Sequence, residues 1–258
     1  MKNYHTHTAR CGHAEGADED FVTAAIEGGF DEIGFSDHAP MLFPEGLNYY
    51  SSFRMKPELI QDYVNSINAL RKKYEGKIKI KLGFELEYYP DLFEKELEFL
   101  KSFDIDYLIL GQHFTLNEFE QGTFYCGSKT EDDSFLNQYV SQVIEGLETG
   151  KFSYLAHPDL INYVGSREYY QQQMYRLCTR VKELGYPLEF NMYGFIDKRN
   201  YPNRDFWQIA AEVGNDVVIG LDAHWRDLFL MQDVFAEMRA YLAELGLTPL
   251  EQVNLIKP

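Results

Sequence analysis

Short apolar runs that alternate with longer amphipathic stretches predict an α/β fold of seven strand–helix units spread over 258 residues. Two further observations support it. Each candidate helix hands the chain on to another apolar run, so successive strands pair in parallel through right-handed crossovers. Hydrophobic residues make up 45% of the chain and aromatics 16%, enough for a packed core. A barrel of seven βα units accommodates that order as a single domain over residues 1–258. An open doubly wound sheet is the alternative, but its nucleotide-binding form is weakened because no GxGxxG or GxxxxGK[ST] loop follows any strand.

The opening strand carries NYHTH. Residues 18–29 (DEDFVTAAIEGG) suit a helix, with acidic residues in the first turn, where they complement the helix dipole, and a glycine stop. Residues 31–38 (DEIGFSDH) form the second strand, and residues 39–55, with Pro40, Pro44 and Gly46, a long loop. Pro57 fits the start of a helix running toward Tyr74. Residues 78–87 (IKIKLGFELE) alternate as a third strand. A charged helix over 92–101 precedes the fourth strand, 107–113, and after a loop at 114–130 comes a helix over 132–148. FSYLAH, 152–157, is the fifth strand, stopped by Pro158. Helices over 167–184, 202–213 and 227–245 then accompany the sixth strand, 188–191, and the seventh, 217–222.

A formal charge of −17 argues against nucleic acid or an anionic membrane as partner, and an anionic substrate would need local positive charge. Cys11, Cys126 and Cys178 are too few and scattered for a disulfide framework and read as reduced thiols. No apolar run follows Lys2 and none approaches the ~18 residues needed to span a bilayer, so a cytoplasmic protein without a signal peptide is expected.

Chemistry enters through histidine position. Of His5, His7, His13, His38, His113, His157 and His224, all but His13 fall at or just beyond the C-terminal end of a predicted strand. His13 lies in the first βα loop, and none is in a predicted helix. In a parallel barrel those strand ends share one rim, where active sites sit. His5 and His7 stand two apart, so their rings face alike at roughly 6.6 Å between Cα atoms and can reach one metal at about 2.0–2.1 Å. Carboxylates join the same rim: Asp37 in SDH, Glu85 and Glu87 on one face of strand three, and Asp222 beside His224 in DAH. Alone, Asp222 would suit a helix cap and Glu85 an exposed strand position. A structural zinc takes four ligands and a hydrolytic one three plus water. The nine candidates His5, His7, His13, His38, Glu85, His113, His157, Asp222 and His224 therefore imply two or three divalent ions. Closely spaced ions stabilise the entering and leaving oxygens of a displacement at phosphorus, and they make an acidic protein hospitable to phosphate.

HTH, RCGH, SDH, the Glu of GFELEY, GQH, AHPD and GLDAH, in that order over residues 3–224, resemble the polymerase-and-histidinol-phosphatase (PHP) family. RCGHAEG, FSDHAPM, FRMKPE and NYPNRDFW resemble its histidinol-phosphatase branch. The resemblance implies a distorted (β/α)7 barrel with a trinuclear centre. His5, His7, Glu85 and Asp222 would hold the first metal, and Glu85 would bridge to a second on His113 and His157. His13, His38 and His224 would hold the third. Zinc, manganese and iron all suit such ligands. The implied reaction, part of histidine biosynthesis, is hydrolysis of L-histidinol phosphate to L-histidinol and phosphate by attack of a metal-bridging hydroxide.

One departure bears on substrate. The branch often carries Asn-x-x-Gly-Leu-Arg after strand six, whereas NMYGFIDKR places Ile196 where that arginine would stand. Arg199 is the nominated phosphate contact, with Arg54 and Arg167 as further nominees. Asp37 could orient His38 or protonate the leaving alkoxide. Phe43, Tyr49, Tyr50 and Phe53, with Phe114, Phe119, Phe124 and Tyr125, could enclose an imidazole, and Glu118 or Glu120 could receive an ammonium group. Ile196 keeps a nucleotide, a sugar phosphate or a phosphotyrosine peptide open as substrate. Amidohydrolase-like C–N hydrolysis also uses HxH on strand one, but nine ligands and His13 favour phosphoester chemistry. The expected partner is a small phosphorylated metabolite, with the protein a monomer or small homo-oligomer.

Overall fold

The computed structural model describes residues 1–258 apart from Asn48 and Tyr50, so Tyr50 of the expected aromatic mouth lies outside the described residues. Strands β1 (Lys2–Asn3), β2 (Glu32–His38), β3 (Lys79–Leu86) and β4 (Tyr107–Leu110) form a parallel sheet in that order. Strands β5 (Leu188–Asn191) and β6 (Val217–Gly220) pair in parallel beside it. The expected fifth strand contracts to one position: Leu155 bridges Leu110 on one side and Leu188 on the other. Pairing stops there because His157 turns to a φ of 26° and Pro158 has no N–H to offer.

The opening strand is shorter than expected as a ladder, but its continuation closes the barrel. Thr6 bridges Ala223, the His7 N–H donates to the Ala223 carbonyl (2.9 Å), and the Ala223 N–H donates to the His5 carbonyl (3.1 Å). The Ser36 N–H reaches the Thr6 carbonyl from the other side (2.8 Å). Asn3 pins the seam: its Oδ1 accepts from the Leu221 N–H (3.0 Å) and its amide donates to Thr6 Oγ1 (2.8 Å). The result is the expected distorted barrel of seven βα units, with one unit reduced to the Leu155 bridge.

The helices follow their sequence signals. Helix α1 (Asp18–Glu27) opens on three acidic residues and ends before Gly28 and Gly29. A 3-10 turn at Pro57–Leu59 leads into α2 (Ile60–Lys73), and α3 spans Pro90–Lys101. Asp132 caps α4 (Asp133–Glu148) and Ser166 caps α5 (Arg167–Leu184), each side chain accepting a first-turn N–H. A short α6 (Met192–Asp197), absent from the sequence expectation, is started by Asn191, whose Oδ1 accepts from the Gly194 N–H (2.8 Å). Asn203 caps α7 (Arg204–Val213) in the same way. The expected last helix divides into a 3-10 turn at Arg226–Leu230 and α8 (Gln232–Glu244). No helix among the described residues is long and apolar enough to cross a membrane.

Strand β2 is buried along its whole length, as a strand between barrel interior and surrounding helices must be. The interior below the histidine rim is filled by Tyr4, Tyr107, Ile109, Tyr154, Ala156, Val218 and Val253. The Tyr107 hydroxyl sits between the carbonyls of Tyr4 (2.8 Å) and Phe35 (3.1 Å). Val253 arrives on the C-terminal tail, which is tied down by Leu250 N–H to the Val217 carbonyl (2.7 Å) and Ile256 N–H to Ser153 Oγ (2.9 Å).

On α3, Glu96 is buried and accepts from the Leu42 N–H at 2.6 Å, holding down the loop after β2. Burial pushes its carboxyl from the usual 4.5 up to about 7. The folded chain therefore keeps a proton that the unfolded chain releases, and the stability from this group falls as pH rises from about 4.5 to about 7. Glu96→Gln retains an acceptor oxygen and does not titrate. Urea midpoints between pH 5 and 7.5 are expected to decline less steeply for this variant than for the parent.

Candidate metal centre

Glu85 is the hub of the rim. The parallel register of β2 and β3 sets His38 directly beside it, with His38 Nδ1 2.9 Å from Glu85 Oε2. His157 Nε2 lies 2.7 Å from Oε1, and His113 Nε2 3.7 Å from the same oxygen. His5 and His7 approach Oε2 at 3.6 and 3.7 Å. Asp222 completes the inner group: its Oδ1 is 3.0 Å from His7 Nε2, 3.5 Å from His5 Nε2 and 3.4 Å from His224 Nδ1. Asp222 reaches this position with a φ of 51°, a left-handed conformation that a non-glycine residue adopts only when its surroundings hold it there. His13 is the most solvent-exposed of these imidazoles, with ring centroids 4.6 Å from His224 and 5.3 Å from His38.

The donor set fits divalent metal. His5 Nε2, both ring nitrogens of His7, Glu85 Oε2, His113 Nδ1, His157 Nδ1 and His224 Nε2 are buried without a hydrogen-bond partner. Orphaned polar atoms are costly in a protein interior, and a bound cation would offset that cost at those that present a lone pair. Ligand atoms of His5, His7 and Asp222, of His5, Glu85 and His157, and of His7, His38 and His224 lie within 4.8 Å of one another in each trio. Burial lowers His38 well below its ordinary value and brings His113 and His224 down to about 3, so these rings stay neutral and keep a lone pair. Burial opposes charge on His7 as well, but the nearby carboxylates of Asp222, Asp37 and Glu85 lift it to about 9. Glu85 and Asp222 stay ionised despite burial because imidazoles surround them. Cations entering this centre would displace protons from the rings facing those carboxylates.

Behind the rim, the structure relocates several expected roles. Asp37 is fully buried, accepts hydrogen bonds from the Thr8 hydroxyl and from the His38 backbone N–H (2.9 Å), and lies 3.5 Å from His7 Nδ1, so it stands behind both histidines. It does not line the cavity, which removes it as a proton donor to a leaving group there. Arg54 is also buried, paired with Glu87, 3.6 Å from Glu118 and 4.6 Å from the Phe53 ring. Glu87 in turn accepts from the His113 N–H (2.6 Å), so Arg54 supports the His113 loop and is not a phosphate contact. Arg167 is exposed and bonded to Asp205 at the start of α5, outside the cavity. Glu118 is held by Arg54, and Glu120 accepts from the Asn117 N–H (3.0 Å) and lines a separate groove.

Above the histidine rim is a cavity of about 320 Å³. Arg199 lines it, gripped by Asp197 (2.9 Å) and Tyr201 (3.2 Å) and stacked 4.2 Å from the Tyr193 ring centroid. Ile196 packs against the core instead. Of the expected aromatic residues, Phe53, Phe114 and Tyr125 line the cavity. Phe43, Tyr49 and Phe119 cluster elsewhere, and Phe124 stacks on Phe135. Tyr193 and Tyr201 line it as well and were not singled out from sequence. Nor was Glu189, whose carboxylate meets His5 Nδ1 at 2.8 Å. Its signal was available, since a charge inside a strand buried on both faces has to be paired.

Gly111 leaves room for Glu85: a Cβ there would come 1.9 Å from Glu85 Oε1. Gly111→Ala is expected to displace that carboxylate and weaken divalent-metal affinity about 10-fold or more, measured by chelator competition on folded protein.

The PHP domain family model matches residues 3–193. A protein from Deinococcus radiodurans named as a probable histidinol-phosphatase is 30% identical over 224 residues, covering 85% of each chain. Among solved structures, a protein from Listeria monocytogenes described as a putative histidinol phosphatase superposes with a TM-score of 0.73 at 24% identity, over 88% of this chain and 97% of that one. A histidinol phosphate phosphatase from Lactococcus lactis, complexed with zinc, L-histidinol and phosphate, superposes with a TM-score of 0.72 at 20% identity, over 96% and 95%. With the family match spanning most of the barrel and the ligand-bearing segments in order around its rim, the chain belongs to the PHP domain family.

Proposed function

We propose that this protein is a metal-dependent phosphomonoesterase whose substrate is L-histidinol phosphate, cleaved to L-histidinol and phosphate. The observation that carries this reading is the convergence of seven imidazoles with Glu85 and Asp222 beneath a small cavity that also presents Arg199. The Lactococcus lactis relative, with zinc, L-histidinol and phosphate bound, supports the substrate. His5, His7, Glu85 and Asp222 would hold one ion, and Glu85, His113 and His157 a second. His13, His38 and His224 would hold a third, with zinc, manganese and iron all compatible. When bound, such ions provide Lewis-acid charge for the phosphoryl oxygens and lower the pKa of water.

The chain's own groups do the rest. Arg199 is preorganised by Asp197, Tyr201 and Tyr193, so its guanidinium binds phosphate with little conformational freedom left to lose. Phe53, Phe114 and Tyr125 form the apolar wall against which an imidazole ring stacks. Glu87, backed by Arg54, fixes the backbone at His113 and so the direction of that ring. The cavity size favours a small metabolite over a peptide.

The deciding experiment compares kcat/KM for histidinol phosphate, p-nitrophenyl phosphate, a sugar phosphate and a nucleotide at fixed metal content. Histidinol phosphate is expected to exceed the generic esters by about 100-fold or more. Equal rates would remove the specificity, and no phosphoester turnover would remove the phosphatase reading. Chelation should abolish activity and added divalent metal should restore it. Arg199→Ala is expected to raise KM about 10-fold or more, by loss of a charge-assisted phosphate contact.

A further inference from the structure

We infer that Glu189 is the positioning residue for His5: it selects that ring's tautomer and sets the affinity of the ion His5 helps to hold. This rests on the metal-centre reading above. Glu189 is completely buried in β5, and its carboxylate straddles His5 Nδ1, with Oε2 at 2.8 Å and Oε1 at 3.1 Å. A carboxylate accepts from both oxygens, so Nδ1 carries the proton and the lone pair is left on Nε2. That nitrogen is buried without a hydrogen-bond partner and faces Asp222 Oδ1 at 3.5 Å and Glu85 Oε2 at 3.6 Å. The orphaned lone pair therefore points between two carboxylates, where a cation belongs.

Two further features tie Glu189 to the centre. The Asn191 amide donates both to Glu189 Oε1 (2.7 Å) and to Asp222 Oδ2 (3.1 Å), linking the support of His5 to a second candidate ligand. Glu189 and Asn191 lie two apart on β5 and so face the barrel interior together. Across the β5–β6 pair, Gly220 makes the space: a Cβ there would lie 2.2 Å from Glu189 Oε2. A carboxylate on the outer nitrogen of a metal-binding imidazole fixes its orientation and strengthens it as a ligand, with 10–100-fold effects on metal affinity typical.

The test measures zinc stoichiometry and site affinities by elemental analysis and chelator competition for the parent, Glu189→Gln, Glu189→Ala and His5→Ala, beside thermal melts. Glu189→Gln keeps the shape and one acceptor oxygen. It is expected to melt near the parent while one ion binds about 10-fold more weakly and the other affinities hold. Turnover should return at saturating metal. Glu189→Ala should weaken the same ion further, and if it fails to fold the Gln variant alone decides. Parent-like affinity at every site in Glu189→Gln, while His5→Ala loses an ion, would overturn the inference and leave the metal centre standing. Loss of affinity at all sites in step with the melting temperature would assign Glu189 a merely structural role and overturn it as well. A full metal complement in His5→Ala would remove His5 as a ligand and overturn the inference, whereas a parent protein that binds no metal would bring down the metal-centre reading itself.

Discussion

The structure turns on one interaction, the burial of the Glu85 carboxylate among imidazoles. An isolated carboxylate in a protein interior is costly by several kcal/mol, and neighbouring groups must offset that cost. Here His157 and His38 lie at hydrogen-bonding distance, with His5, His7 and His113 just beyond. Each approach depends on a different part of the fold. The β2–β3 register supplies His38, the closure at Thr6 and Ala223 supplies His5 and His7, and the Leu155 bridge brings up His157. A register slip of one residue would turn Glu85 to the opposite face and leave the imidazoles without their hub.

Much of this was legible in the sequence because strand ends in a parallel barrel share a rim by topology alone. Histidines placed at those ends are brought together whatever the details of packing. The fates of Arg54 and Arg167 were not legible, because both stand near predicted strand-end loops and only tertiary contacts decide which partner each finds. Arg54 is spent on Glu87, and Arg167 on a helix-start aspartate. Asp37 stands beside the expected histidines, but its buried carboxylate is taken up by the Thr8 hydroxyl and the His38 N–H and does not reach the cavity. Short-range capping by Asn191 created α6 in a stretch too brief for helical periodicity to register. The Leu155 segment looked like a strand by composition, and only the turn at His157 shows why it pairs at one position.

The surroundings of the centre separate two electrostatic tasks. Buried carboxylates Glu85 and Asp222 face inward with the ligand lone pairs, while Asp37, Glu87 and Glu189 stand behind histidines and direct them. Positive charge toward the cavity comes from Arg199, on the loop that follows α6, while the partly buried Ile196 packs against the core. A chain of net charge −17 thus presents a guanidinium at the one cavity that its histidine rim lines.

The seam between Thr6 and Ala223 also bears on assembly. The earliest and latest thirds of the polypeptide contribute to the same ligand cluster, so a chain leaving the ribosome exposes His5 and His7 long before Asp222 and His224 arrive. Only when the C-terminal third emerges does the geometry that encloses those first imidazoles exist. Completion of the cluster is in this sense timed by translation, with the last strand acting as the latch.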